Sequence, residues 1–408
     1  MHPFDLDQKA KSNRSGLRNI EPSNRSNPDP LELTKELIKI DSRNPPGITT
    51  DVAEFLEGIF SSYKTRIIEK EEGKPNLIIE INKGKPELLL TSHMDTVPAK
   101  DALLNPVIVD GKLYGRGACD AKGCIASIIH ASLTSSTLEC GLKLAFTSDE
   151  EVGGINGLGF VFERMKSDYV IIGEPFGADR IGVLQAAVVS ADITVKGNSG
   201  HTATLDAREG AIYKASEYII KVIEEFSNLK SDYSAFAEKF RRIGLELEFR
   251  GINHAVFNPA IIKGGIKRNV VAPECQIQCD IRFAPWIEQE KIREILTGDV
   301  DFKINGVLKP YGLFVDEVEV ERDLEILEIL IESVRSQGMR PCAVCSIGVG
   351  DTRHVRKHGV PAFYYGPKGH GLHGEEEYVM IRELYKSSNV LKEVIRKFDE
   401  KFGNEVRG

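Results

Sequence analysis

Side chains able to hold a metal or move a proton recur along this chain at the ends of short apolar runs. LLLTS runs into His93-Met-Asp95, the GRGA segment into Cys119-Asp120, and LAFTS into Asp149-Glu150-Glu151. VIIG runs into Glu174-Pro175, and AFYYG is followed by His373. Short apolar runs of this kind read as buried strands, and open α/β sheets gather ligands at the carboxyl ends of their strands. Taken singly, a His at a strand end is usually a surface or core residue, and an Asp-Glu-Glu run is usually a solvated turn. Two His, an Asp and two Glu delivered to the same edge would together build a two-metal hydrolytic site.

The charges balance for two ions. Two divalent cations bring four positive charges, which Asp120, Glu151, Glu174 and a hydroxide would neutralise, while His93 and His373 complete the shells. A nitrogen and oxygen donor set without thiolate suits two Zn²⁺, with Co²⁺ or Mn²⁺ as substitutes. Asp120 is placed as the bridge, since a carboxylate has two oxygens and paired metals lie about 3.5–4 Å apart. Asp95 is expected to accept the second N–H of His93 and set its tautomer. Glu150, beside a ligand, is the candidate general base.

The elements that must carry these residues alternate at first. PLELTKELIKI, VAEFLEGIF and AKGCIASIIHASL have helical periodicity, and NLIIEI and ELLLTS read as strands. That alternation predicts a mostly parallel sheet with helices on both faces. After VIIGEP the pattern changes. VVSADITVKG, LELEFRG, AVFNPAIIKGG and ECQIQCDIRF read as strands, with helices at EGAIYKASEYIIKVIEEF and IEQEKIREIL. The expected organisation is a flexible extension over 1–30, a catalytic domain over 31–183, an inserted α+β lid over 184–312, and a return to the catalytic domain over 313–408. The helix DLEILEILIESVRSQG opens that return.

The strings TSHMDTVP, YGRGACDAKG, FTSDEEVGG, IIGEP and the closing His373-Gly-Glu-Glu-Glu377-Tyr378-Val379 resemble the acetylornithine deacetylase/succinyl-diaminopimelate desuccinylase family, within the co-catalytic zinc aminoacylases and carboxypeptidases. The match runs in order from about residue 32 to the C-terminus. The resemblance implies a zinc-peptidase-like α/β catalytic domain with an inserted ferredoxin-like lid that also dimerises. It implies His93 and Glu174 on the first zinc, Glu151 and His373 on the second, Asp120 between them and Glu150 as base. It also implies that His201, in KGNSGHTATLD, bonds the substrate carbonyl, often from the partner subunit of a homodimer. Asn269 and Arg282 match family positions that bind substrate carboxylates. The implied reaction is hydrolysis of the amide of an N-acyl amino acid: Glu150 deprotonates a water held by the two cations, and one zinc and His201 stabilise the oxyanion.

One segment departs from the family pattern. SIGVGDTRHV has Val349 and Gly350 where a hydroxyl is usual, although Asp351 and Arg353 remain, the latter a candidate substrate contact. The departure keeps a dipeptidase or carboxypeptidase reading open. A catalytically silent binding relative would be expected to lack the base or a ligand, and all of them are present.

Composition excludes other classes. The chain has 408 residues and a net charge of −8, with a pI near 5.7. That length supports two domains with their own cores, and that charge argues against nucleic acid as partner. No apolar run is long enough to span a bilayer. The N-terminal segment lacks the apolar stretch of a secretory signal. Seven cysteines, odd in number and irregularly spaced, predict no disulfide framework and a reducing, cytoplasmic setting. Cys342-Ala-Val-Cys345 has no second pair nearby to complete a four-cysteine zinc site.

Overall fold

A computed structural model describes residues 28–403, apart from 136–137, 230–232, 252–253, 299, 347 and the side chains of 306–308. All but the last three residues of the extension expected over 1–30 lie outside that range. Asp29 already belongs to the fold: its carboxylate accepts from the N–H groups of Leu31 and Glu32 and caps the helix Pro30–Lys39.

The described chain divides into two compact units. One comprises residues up to Gly182 with Glu317–Cys342 and the segment from Gly350 onward, and the other comprises Val183–Asp316 with Ala343–Val349. In the first unit, Gly141–Thr147, Glu87–His93, Tyr169–Gly173 and Ala362–Tyr365 lie side by side in that order, all parallel. Antiparallel strands Pro75–Asn82 and Lys64–Glu69 extend the Gly141–Thr147 edge. Every residue of Glu87–His93 is buried, as the apolar run Leu88–Leu90 requires of an interior parallel strand. The helix Lys122–Leu133 is buried almost all round and packs against the C-terminal helix Ile381–Phe402. The latter presents Leu384, Leu391, Ile395, Phe398 and Phe402 on one buried stripe.

A second, smaller sheet in this unit was not anticipated from the sequence. Gly369–His370, Tyr378–Met380, Lys112–Tyr114 and Val107–Val109 form four short antiparallel strands.

In the second unit the order along the chain is strand Ala187–Lys196, helix Ala211–Asn228, strands Val256–Gly264 and Glu274–Phe283, helix Gln289–Leu296 and strand Val300–Leu308. The sheet runs Val256–Gly264, Glu274–Phe283, Ala187–Lys196, Val300–Leu308, antiparallel throughout. This is the βαββαβ arrangement of ferredoxin-like folds. Strict alternation of buried and exposed residues on Glu274–Phe283 marks a sheet with one face against the helices. Val189, Ala191, Ile193, Val195, Ile277 and Ile281 pack there with Ala215, Val222 and Phe226. Among the elements that escaped the sequence reading are the helix Ser234–Arg242 and the strand Val300–Leu308.

No disulfide joins any of the seven cysteines, six of which are buried. Among the described residues no helix is long and apolar enough to cross a membrane.

Candidate metal centre

Three of the five arms come from the carboxyl ends of neighbouring parallel strands. His93 closes Glu87–His93, Glu150 and Glu151 follow Gly141–Thr147, and Glu174 follows Tyr169–Gly173. The expectation that all five arms end strands of one sheet needs correcting for the other two. Asp120 lies on the turn after Lys112–Tyr114, and His373 lies between Gly369–His370 and Tyr378–Met380, so both belong to the small sheet.

These arms converge within the first unit. His93 Nε2 lies 3.0 Å from Asp120 Oδ1 and 3.7 Å from Glu174 Oε1. His373 Nε2 lies 3.3 Å from Asp120 Oδ2 and 3.3 Å from Glu151 Oε2. The two oxygens of Asp120 therefore face two different imidazoles. Single ligand atoms of His93, Asp120 and Glu151 fall within 4.8 Å of one another. Tetrahedral bonds of about 2.0–2.1 Å separate neighbouring donors by about 3.3 Å, so the spacing fits metal coordination. The charges fit it too. Hydrogen bonds with Asp120 and Glu151 push the His373 pKa up to about 10. Burial, reinforced by neighbouring carboxylates, pushes Glu150 and Glu174 well above the carboxylate range. Asp120 is held low by His373 and His93, which outweigh its burial. Raised imidazoles at His93 and His373 beside raised carboxyls at Glu150 and Glu174 mark a cluster with a surplus of negative charge that cations would offset.

Asp95 takes a broader part than orienting one ring. His93 Nδ1 is 2.9 Å from the Asp95 carbonyl and 3.5 Å from its carboxylate. A carbonyl can only accept, so Nδ1 donates to it and Nε2 is the ring nitrogen that faces the site. The Asp95 carboxylate accepts from the backbone N–H groups of Glu150, at 3.1 Å, and Glu151, at 3.2 Å, and from Asn44 at 3.0 Å. It thus ties the first arm to the second. Asp149, whose φ of 70° is uncommon for a residue other than glycine, is held by Lys74 at 3.0 Å and Asn44 at 3.3 Å.

Glu377 has a role the sequence reading missed. Fully buried, its carboxylate accepts from the backbone N–H groups of Gly117, Cys119 and Asp120 at 3.0–3.1 Å. It also pairs with Arg116 at 2.5 Å, and Arg116 donates onward to the Gly374 carbonyl at 2.9 Å. The turns that bear Asp120 and His373 are thereby fastened to each other. The signal was present in the closing motif, four residues after His373, but its partners lie about 260 positions away.

Arg353 donates to the carbonyls of Gly350, at 2.7 Å, and Gly153, at 2.5 Å. Both terminal nitrogens thus hold the turn behind Glu150-Glu151, which favours a supporting position over the substrate contact expected from the sequence. His354 joins it, with Nε2 3.0 Å from Gly153 O. Burial, helped by Arg353, pulls the His354 pKa down to about 4. The unfolded chain takes up this proton below about pH 6.5 and the folded chain only near 4, so this site makes the fold less stable as pH falls through that window, by up to about 3 kcal/mol. Urea midpoints of wild type and His354→Gln should agree near pH 7 and separate by pH 4.5, with the wild type losing more. Parallel pH curves would count against it.

His201, Asn269 and Arg282 belong to the second unit. Gly200–His201 pairs with Val270–Val271, and this brings His201 Nε2 to 3.4 Å from Asn269 Nδ2. Both residues are exposed. The Arg282 guanidinium lies 3.1 Å from Asp280 Oδ2 on the same strand, a partly exposed pair of small energetic weight.

The chain belongs to the Peptidase family M20/M25/M40, whose model matches residues 89–397, and is a hydrolase of that family. It is 26% identical over 326 residues to the acetylornithine deacetylase of Myxococcus xanthus, covering 76% of this chain and 80% of that one. It is 24% identical to the succinyl-diaminopimelate desuccinylase of Pelagibacter ubique over 90% of this chain and 98% of that one. The fold is shared with a tripeptidase from Staphylococcus aureus, with a TM-score of 0.70 and 20% identity over 92% of this chain and 99% of the other.

Proposed function

We propose that the chain is a dinuclear zinc amidohydrolase that cleaves the amide of N-acyl amino acids, of the acetylornithine deacetylase or succinyl-diaminopimelate desuccinylase type. The observation that carries this reading is the Asp120 carboxylate, with one oxygen toward His93 and the other toward His373. His93, Glu174 and Asp120 Oδ1 would hold one ion, and His373, Glu151 and Asp120 Oδ2 the other. Bound there, two divalent cations would polarise the amide carbonyl and acidify a water. Glu150 takes the proton from the attacking water and returns it to the leaving amine. His201, with Asn269 beside it, donates to the developing oxyanion. Arg282 anchors the carboxylate of the amino acid. Activity on N-acetylornithine, N-succinyl-diaminopimelate and a dipeptide panel tests the reading. Hydrolysis of dipeptides alone would move it to the peptidase alternative, which the missing hydroxyl at Gly350 favours. Bound metal without any amide hydrolysis would leave the silent-relative reading.

The same reading includes a homodimer joined through the second unit. Supporting it, Ile220 and Ile223 on the helix Ala211–Asn228 and Ile261 and Ile262 on the edge strand Val256–Gly264 are exposed, and unpaired apolar edges of this kind invite a partner. If His201 serves the partner's site, His201→Ala keeps its metal and loses about 10²–10³-fold in kcat. Mixing it with Glu150→Gln should then restore activity toward half of wild type in each mixed dimer, because one site regains both groups. Confirmed subunit exchange without recovery would place His201 in its own chain's site or outside catalysis.

A further inference from the structure

The turn beside the Glu150 carboxyl has a glycine where its surroundings leave no room for anything larger. A Cβ on Gly350 would lie 2.6 Å from the Tyr364 hydroxyl oxygen and 3.4 Å from Glu150 Oε1. The first distance is far inside van der Waals contact, so a side chain at 350 and the tyrosine hydroxyl compete for one place. Tyr364 cannot readily give way. It is 4% exposed, and its ring stacks on Phe176 with centroids 5.4 Å apart and planes 6° from parallel. Its hydroxyl accepts the Thr352 N–H at 3.0 Å and bonds the Thr352 hydroxyl at 3.0 Å. Backbone pairing of Ala362–Tyr365 with Tyr169–Gly173 places the ring next to the arm that carries Glu174.

We propose that Tyr364 is a positioning residue for Glu150: anchored on Thr352, its hydroxyl holds the Gly350–Thr352 turn that flanks the Glu150 carboxyl and fills the space a side chain on residue 350 would take. Gly350 and Tyr364 are then a matched pair, the one small because the other brings the oxygen. This role rests on the reading of Glu150 as general base.

Tyr364→Phe deletes one oxygen and keeps the stacked ring. On whichever amide the wild type hydrolyses, its kcat should fall about 10- to 100-fold, the usual effect of a small misplacement of a reacting group. Metal content should not change, and KM should stay within about twofold of wild type, since the effect is on a group that acts in the chemical step. Gly350→Ala should lower both the thermal midpoint and kcat in the wild-type background. Combined with Tyr364→Phe it should cost much less, because the 2.6 Å clash is with the deleted oxygen and the next atom, Tyr364 Cζ, lies at 3.2 Å. Equal losses from Gly350→Ala in the two backgrounds would overturn the matched pair. Wild-type kcat in Tyr364→Phe, with Glu150→Gln inactive, would overturn the positioning role and leave the base assignment standing. Turnover retained by Glu150→Gln would remove the base assignment and this role with it.

Discussion

Metal-replete Glu150→Gln should bind its full complement of metal and turn over about 10²–10⁴-fold more slowly than wild type, the usual contribution of a general base. Glutamine keeps the size and hydrogen-bonding shape of the side chain but cannot take a proton. The backbone N–H of Glu150 would still bond Asp95, so the neighbouring Glu151 should stay in register. Burial and the carboxylates around it raise the Glu150 pKa well above its ordinary value, which makes its carboxylate a stronger base than a solvated one. Bound cations would oppose that shift. Near-wild-type kcat in the variant, with metal content verified, would rule out Glu150 as the base.

Asp120→Ala should release both metals together and abolish hydrolysis, whereas His373→Ala should weaken one site and spare the other. The difference follows from the two oxygens of Asp120, each facing a different imidazole at 3.0 and 3.3 Å. Removing the shared group takes a ligand from both shells, and removing His373 takes a ligand from one. Metal titration followed by calorimetry, together with metal analysis after dialysis, separates the cases without relying on turnover. A chelator should reproduce the Asp120→Ala loss in the wild type, and added Zn²⁺ should reverse it there but not in the variant. Retention of one tightly bound ion by Asp120→Ala would show that this carboxylate serves a single site.

Much of the scaffold is legible along the chain because its elements are local and strongly patterned. The helices at Pro30–Lys39, Lys122–Leu133 and Val320–Ser336 and the strands at Glu87–His93 and Tyr169–Gly173 lie where apolar periodicity places them. So do the strands Ala187–Lys196, Val256–Gly264 and Glu274–Phe283 and the helices Ala211–Asn228 and Gln289–Leu296 of the second unit. The elements that escaped are short or edge pieces, such as Lys64–Glu69, mostly exposed, and the three-residue strands of the small sheet. Pieces like these owe their conformation to neighbours rather than to their own pattern.

The amino-acid sequence by itself determined which donors this protein brings to its site, because the chemistry of His, Asp and Glu travels with the residue and the motifs that carry them are contiguous. Only the tertiary structure decided how those donors are shared and held. It divides the Asp120 oxygens between His93 and His373, aims the Asp95 carboxylate at the Glu150-Glu151 backbone, fastens the Asp120 turn with Glu377, and sets the Tyr364 hydroxyl where Gly350 has no side chain. Each of these relations joins residues far apart in the chain or depends on distances of a few tenths of an ångström. Such contacts form when separate elements pack against one another, and no local pattern encodes them.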